Sequence, residues 1–148
     1  MYSNNQDELN RRLSFLPVLA EVSTELNLKW VNGDFIQNFA QERILHLAIE
    51  AVTDIGSLLI DAFVLRDAGS YEDIIEILVD EQVVAGRLAS FLHRLVKLRK
   101  ALVQEYTEWS RLSLHPLIPE LPSMLSDFAD QVKIFIAKEK AIFTSESQ

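Results

Sequence analysis

The chain has 148 residues, 49% of them apolar, which is the size of one domain with enough hydrophobic side chain to build a core unaided. Cysteine is absent, which excludes disulfides, thiolate zinc sites and thiol nucleophiles. A formal net charge of −8 repels polyanions at long range and argues against non-specific nucleic-acid binding.

The periodicity is helical nearly throughout, with only four glycines and four prolines to interrupt it. Helix 1 is predicted from about Gln6 to Leu28, with Leu9, Leu13, Leu16 and Ala20 on one stripe and Pro17 expected to kink or split it. Asn32-Gly33-Asp34 reads as a turn, and Asp34 as the N-cap of helix 2, which runs to about Arg66, on the order of 45 Å at the standard rise. Asp67-Ala68-Gly69 closes it. Ser70 followed by Asp73 resembles a capping box for a short helix 3 from about Tyr71 to Val79. Helix 4 is expected over about Ala85 to Trp109. Pro116, Pro119 and Pro122 then punctuate the connection to helix 5, from about Ser123 to Lys140, and 143–148 are expected to fray.

The expected fold is therefore all-α, an up-and-down helical bundle of about five helices, four long and one short, in one domain over 1–148. The opening residues show no basic or apolar signal segment. The most apolar stretch, Ile44 to Leu65, is broken by Glu50, Asp54 and Asp61, so no membrane span is expected and the expected compartment is the cytoplasm.

On a wheel of helix 2, Arg43, His46, Glu50, Asp54, Ser57 and Asp61 fall in a band roughly 80° wide. The remaining arc is apolar over about 220°, wider than a surface helix shows, so helix 2 should be largely buried with its ionisable groups along a narrow seam. That seam reads either as the solvated edge of a central helix or as a row of partners for cations on other helices. His46 and Glu50 stand four apart, but no second histidine is near, and no metal is expected.

The charge is unevenly spread: Glu72, Asp73, Glu76, Asp80 and Glu81 are acidic, whereas Arg87 to Lys100 contains no acid. In helix 4, Leu92, Leu95, Leu98, Leu102, Val103 and Trp109 form a core face, and Arg87, His93, Arg94, Lys97 and Lys100 form a basic face opposite. That face is either simply solvated or a phosphate-binding patch, with Arg94, Lys97 and Lys100 as its candidates. Arg99 projects instead into the apolar arc, with Tyr106 at nearly the same angle. A charge there needs a partner. Asp54 or Asp61 of helix 2, an open cleft or a second protomer would each supply one.

The run Arg99-Lys100-Ala101-Leu102-Val103-Gln104-Glu105-Tyr106 looks like a degenerate copy of the Arg-x4-His-x-Tyr motif of the HepT-like branch of the HEPN superfamily. Upstream, Glu42 to Glu50 followed by Asp54 resembles that family's central helix, and Arg66 to Tyr71 followed by Ile74 to Leu78 resembles its short third helix. The likeness spans 43–106 in the same order. It implies a homodimeric helical bundle that acts as the toxin beside a small MNT-type nucleotidyltransferase antitoxin and cleaves RNA without metal or other cofactor. Carried over, Arg99 would clamp the phosphate and Tyr106 would be the hydroxyl that accepts AMP from the partner.

Two positions depart from the motif. Gln104 stands at the histidine position, and Lys100 where a small polar residue is usual. Histidine can shuttle a proton near neutral pH, whereas a carboxamide only hydrogen-bonds. Losing a general acid–base typically lowers a rate by about 10²–10⁴. The alternatives are an RNA-cleaving toxin, active or attenuated, a non-cleaving nucleotide- or partner-binding bundle of the same fold, and a plain interaction bundle in which Arg99 is a structural ion pair.

Overall fold

The computed structural model describes residues 2–146, with side chains described for 5–140. The helices are α1 (Tyr2–Lys29), α2 (Phe35–Ala62), α3 (Tyr71–Asp80), α4 (Gly86–Val96), α5 (Arg99–Val103) and α6 (Leu117–Glu146), with no strand among the described residues. The protein is an all-α helical bundle. Helix α2 packs against α1, α3, α4 and α5, while α6 closes the other side against α1 and α4. Ile49, Val52, Ile55 and Leu59 of α2, Phe91, Leu92 and Leu95 of α4 and Leu121, Leu125 and Phe128 of α6 are fully buried in one core.

Turn chemistry sets the start of α2. Gly33 takes a φ of 86° that L side chains rarely adopt, and the Asp34 carboxylate accepts the Gln37 N–H at 2.8 Å. Ser70 caps α3 by accepting the Asp73 N–H at 3.0 Å, and Asp73 reaches back to accept the Gly69 N–H at 2.9 Å. That bond from Gly69, with help from Arg66, holds the Asp73 carboxyl below the usual carboxylate range.

Several boundaries differ from the sequence expectation. Helix α1 is continuous through Pro17, which lies on its exposed side while Leu16 and Leu19 are buried. Packing on that face outweighs a proline penalty of about 3 kcal/mol. Helix α2 stops at Ala62, four residues short of Arg66. Val64 adopts a φ of 54°, so Leu65 folds back, donates its N–H to the Ile60 carbonyl at 2.9 Å and packs on Ile60, Ile74 and Ile77. Gln82, with a φ of 60°, ends α3 in the same way, and Val83 donates to Leu78 at 2.8 Å.

Helix 4 does not run from Ala85 to Trp109. It breaks at Lys97-Leu98, where Leu98 donates to Leu95 three residues back at 3.1 Å, and α5 then ends at Val103. Tyr106 therefore lies in a turn and shares no helix with Arg99. Helix α6 begins at Leu117, six residues before the expected Ser123, because His115 caps it. The Leu117 N–H donates to His115 Nδ1 at 3.1 Å, and the Ile118 N–H to the His115 carbonyl at 3.0 Å. Pro119 sits in the first turn, where an N–H is not needed, and Pro122 is carried inside the helix. The segment expected to fray is helical as far as Glu146, and Ser147 and Gln148 lie outside the described residues.

The α2–α3 contact depends on Gly56: a Cβ there would stand 2.4 Å from Ile74 Cγ2 and 3.4 Å from Leu78 Cδ1. Gly56→Ala should destabilise by about 1–3 kcal/mol through overpacking, despite alanine's better helix propensity. Urea unfolding checks this, and an unchanged midpoint would show that α3 is free to shift. At the other end of the fold, burial pushes the His115 imidazole below its ordinary 6.5. The unfolded chain then binds the proton more readily, so this group's contribution to stability is lost as pH falls through and below 6.5. Melting temperature should fall between about pH 7.5 and 5.5 more steeply for wild type than for His115→Asn, which caps without titrating.

Candidate functional site

Glu42, His46, Glu50 and Asp54 recur at four-residue intervals along α2, so they form a slowly turning column on one side of the helix. Each carboxylate meets an arginine from a different element. Glu42 holds Arg111 of the α5–α6 connection by two hydrogen bonds of 2.8 Å, with side chains only 13% and 22% exposed. Glu50 Oε1 accepts from Arg99 Nε of α5 at 3.2 Å. Asp54 accepts from Arg12 Nε of α1 at 3.4 Å, and Glu8 holds the same arginine. His46 places Nε2 3.7 Å from that Glu50 oxygen and Nδ1 3.4 Å from Arg43 Nη1.

Arg99 thus has a partner, but not one of the two expected. Glu50 lies one turn nearer the start of α2 than Asp54, opposite the point where α5 begins. Asp54 is occupied by Arg12, and Asp61 is exposed with no ion pair among the described residues. The guanidinium of Arg99 also lies over the ring of Tyr71, 3.9 Å from its centroid. Tyr71 opens α3, so the Ser70 cap and the Gly56 contact that place α3 also place this ring. With Nε on Glu50 and one face on Tyr71, the two terminal nitrogens of Arg99 have no partner among the described residues. An arginine held by its stem with its fork unspent suits a phosphate or a carboxylate.

The other motif positions lie apart from Arg99. Gln104 is the C-cap of α5, exposed, with no side-chain hydrogen bond among the described residues. It stands about 140° around the helix from Arg99 at 100° per residue. Tyr106 is 56% exposed, and its carbonyl accepts from Arg111 Nη2 at 3.0 Å, which ties the turn to α2 through Glu42. Arg111 also lies over Phe39, 4.7 Å from the ring centroid. Phe39 belongs to an apolar patch with Phe35 and Ile36, and all three are exposed.

Of the phosphate-binding candidates, Arg94 is engaged by Glu120 of α6 at 3.1 and 3.2 Å, not by the acidic α3. Lys97 and Lys100 are exposed with no ion pair among the described residues, and the break at Lys97-Leu98 puts them on separate helical segments. Among the described residues no group of three or more His, Asp or Glu side chains is placed to hold a metal, and no helix is long and apolar enough to cross a membrane. The sequence reading missed Tyr71 and the Glu42–Arg111 pair. The four-residue spacing continues one step back from His46 to Glu42, a signal that was available for the second.

The comparisons agree with this architecture. The family model described as Ribonuclease HepT-like matches residues 15–132. "Putative RNase YutE" of Bacillus subtilis (strain 168) is 40% identical over 104 residues, 70% of this chain and 72% of that protein. The solved structure of YutE, described as a cytosolic protein of unknown function, superposes with a TM-score of 0.80 at 33% identity, covering 90% of this chain and 92% of the other. A tri-AMPylated Shewanella oneidensis HEPN toxin in complex with MNT antitoxin shares the fold, with a TM-score of 0.59 at 17% identity over 90% of this chain and 96% of that one. A family match over most of the chain, together with that relative, means that the protein belongs to the ribonuclease HepT-like family.

Proposed function

We infer that residues 1–148 act as one HepT-like unit, a cytoplasmic RNA-cleaving toxin that works without metal or other cofactor and is paired with an MNT-type nucleotidyltransferase. The carrying observation is Arg99, half-buried, held by Glu50 and Tyr71, and keeping its terminal nitrogens for a phosphodiester. Lys97 and Lys100 add cationic reach for RNA despite the net charge of −8. The activity of this chain is attenuated because Gln104 offers a carboxamide where the motif has an imidazole.

The same departure favours a second reading, a non-cleaving nucleotide- or partner-binding bundle. The Arg99–Glu50 pair itself would also serve a plain structural bundle. RNA cleavage by wild type, Arg99→Ala and Gln104→His separates the three. On the toxin reading wild type cleaves slowly, Arg99→Ala is silent with melting stability lowered by no more than about 1 kcal/mol, and Gln104→His gains about 10²–10⁴. Silence from all three with RNA still bound favours the binding module. A large stability loss in Arg99→Ala without any RNA binding favours the structural bundle.

A homodimer is part of this reading. The sequence suggests surplus apolar surface on helices 2 and 4, but the exposed apolar side chains are Phe15, Val18, Val22 and Leu28 of α1, Val31 of the turn and Phe35, Ile36 and Phe39 at the start of α2. The patch at Phe39 adjoins the turn that carries Tyr106, the proposed AMP acceptor, as the AMPylated state of the Shewanella toxin suggests. Native mass spectrometry after co-expression with an MNT-type nucleotidyltransferase should show a dimer carrying added AMP that disappears in Tyr106→Phe. A monomer without added mass would count against both parts.

A further inference from the structure

The residue at the motif's histidine position cannot exchange a proton, yet a histidine does stand at the phosphate-binding arginine. We propose that His46 of α2, which borders the Glu50 carboxylate that Arg99 also meets, supplies the proton transfer that Gln104 cannot, so that His46, Glu50, Arg99 and Tyr71 form the centre that cleaves RNA. This rests on the RNA-cleaving reading above.

The geometry centres on one oxygen. Glu50 Oε1 accepts from Arg99 Nε at 3.2 Å and stands 3.7 Å from His46 Nε2, so both side chains border the same carboxylate. His46, Glu50 and Arg99 have side chains 30%, 31% and 28% exposed, open enough for substrate and fixed enough to keep their orientation. Arg43 Nη1 lies at Nδ1, and because a guanidinium only donates, Nδ1 is the ring's acceptor in that contact. A histidine with one ring nitrogen turned to a carboxylate and a lone pair on the other is oriented to accept a proton. That Arg43 nitrogen, 3.4 Å from Nδ1, is an exposed donor that can yield to a hydroxyl and then face the adjoining phosphate.

The ligand class follows from these groups. A phosphodiester fits the free fork of Arg99 with Arg43 as a second cation, and the base needs a hydroxyl next to that phosphorus, which RNA has and DNA lacks. The ribose 2′-OH gives its proton to His46 Nδ1. The 2′-oxygen forms a bond to the adjacent phosphorus, the bond from phosphorus to the 5′-oxygen of the next nucleotide breaks, and that oxygen takes a proton from water. The products are a 2′,3′-cyclic phosphate and a 5′-hydroxyl, and His46 returns its proton to solvent. Arg99 spreads the charge that develops on the phosphoryl oxygens. Tyr71 keeps the guanidinium from swinging away.

The test uses the full-length protein with a single-stranded RNA oligonucleotide and chelator present, and a 2′-deoxy version of the same oligonucleotide for binding. His46→Gln and His46→Ala should each cleave at least about 100-fold more slowly than wild type while binding the deoxy strand within about two-fold of it. Added imidazole should restore part of the rate to His46→Ala. Cleavage by His46→Gln at the wild-type rate would overturn the role of His46 and leave the ribonuclease reading standing. So would a loss of binding that matches the loss of cleavage without rescue by imidazole, since His46 would then only hold the strand. A wild-type protein that never cleaves RNA would remove the ribonuclease reading and this inference together.

Discussion

Helix α2 has so wide an apolar arc that its ionisable side chains have one narrow seam left to occupy, and α1, α5 and the α5–α6 connection are placed by that restriction. Ile49, Val52, Ile55 and Leu59 are fully buried, so α2 cannot rotate without bringing a carboxylate into the core. The seam is thereby fixed in direction. Arginines from α1, α5 and the α5–α6 connection reach it at three levels along the helix, through Asp54, Glu50 and Glu42.

The division of labour between these forces is unequal. Pairs as exposed as Arg12–Asp54 typically contribute about 0–1 kcal/mol each, far less than the apolar burial that assembles the helices. What the pairs add is register. The Arg99–Glu50 contact sets where α5 can begin, and the Arg111–Glu42 contact, the least exposed of the ion pairs, sets where the connection carrying Tyr106 can lie. Position also decides which forks are taken: Glu120 holds both terminal nitrogens of Arg94, whereas those of Arg99 have no partner among the described residues.

The exposed apolar side chains complete the same logic at the outer surface. Helices α2 and α4 turn their widest apolar faces inward, and a run of exposed apolar side chains remains on α1, the α1–α2 turn and the first turns of α2. That remainder reaches the motif connection through the stack of Arg111 on Phe39, so a partner settling on Phe35, Ile36 and Phe39 would touch the segment that carries Tyr106.

The sequence by itself determined the all-α class, the family, the burial of α2 and the caps at Asp34 and Ser70, because these depend on periodicity and on side chains that bond within a few residues. Arg99 was also legible as a charge out of place, since an apolar arc admits no unpaired guanidinium. The ends of α2 and α3 were not legible: Val64 and Gln82 take left-handed conformations that sequence assigns to glycine, and Leu65 and Val83 impose them by folding back onto the core. The same holds for the break at Lys97-Leu98 and for the start of α6 at Leu117, where packing and the His115 cap override a smooth helical pattern and three prolines. Only the tertiary structure chose Glu50 over Asp54 and Asp61 and brought Tyr71 to Arg99. Those choices depend on how helices far apart in the chain are rotated against one another, and a wheel drawn for one helix carries no information about its neighbour.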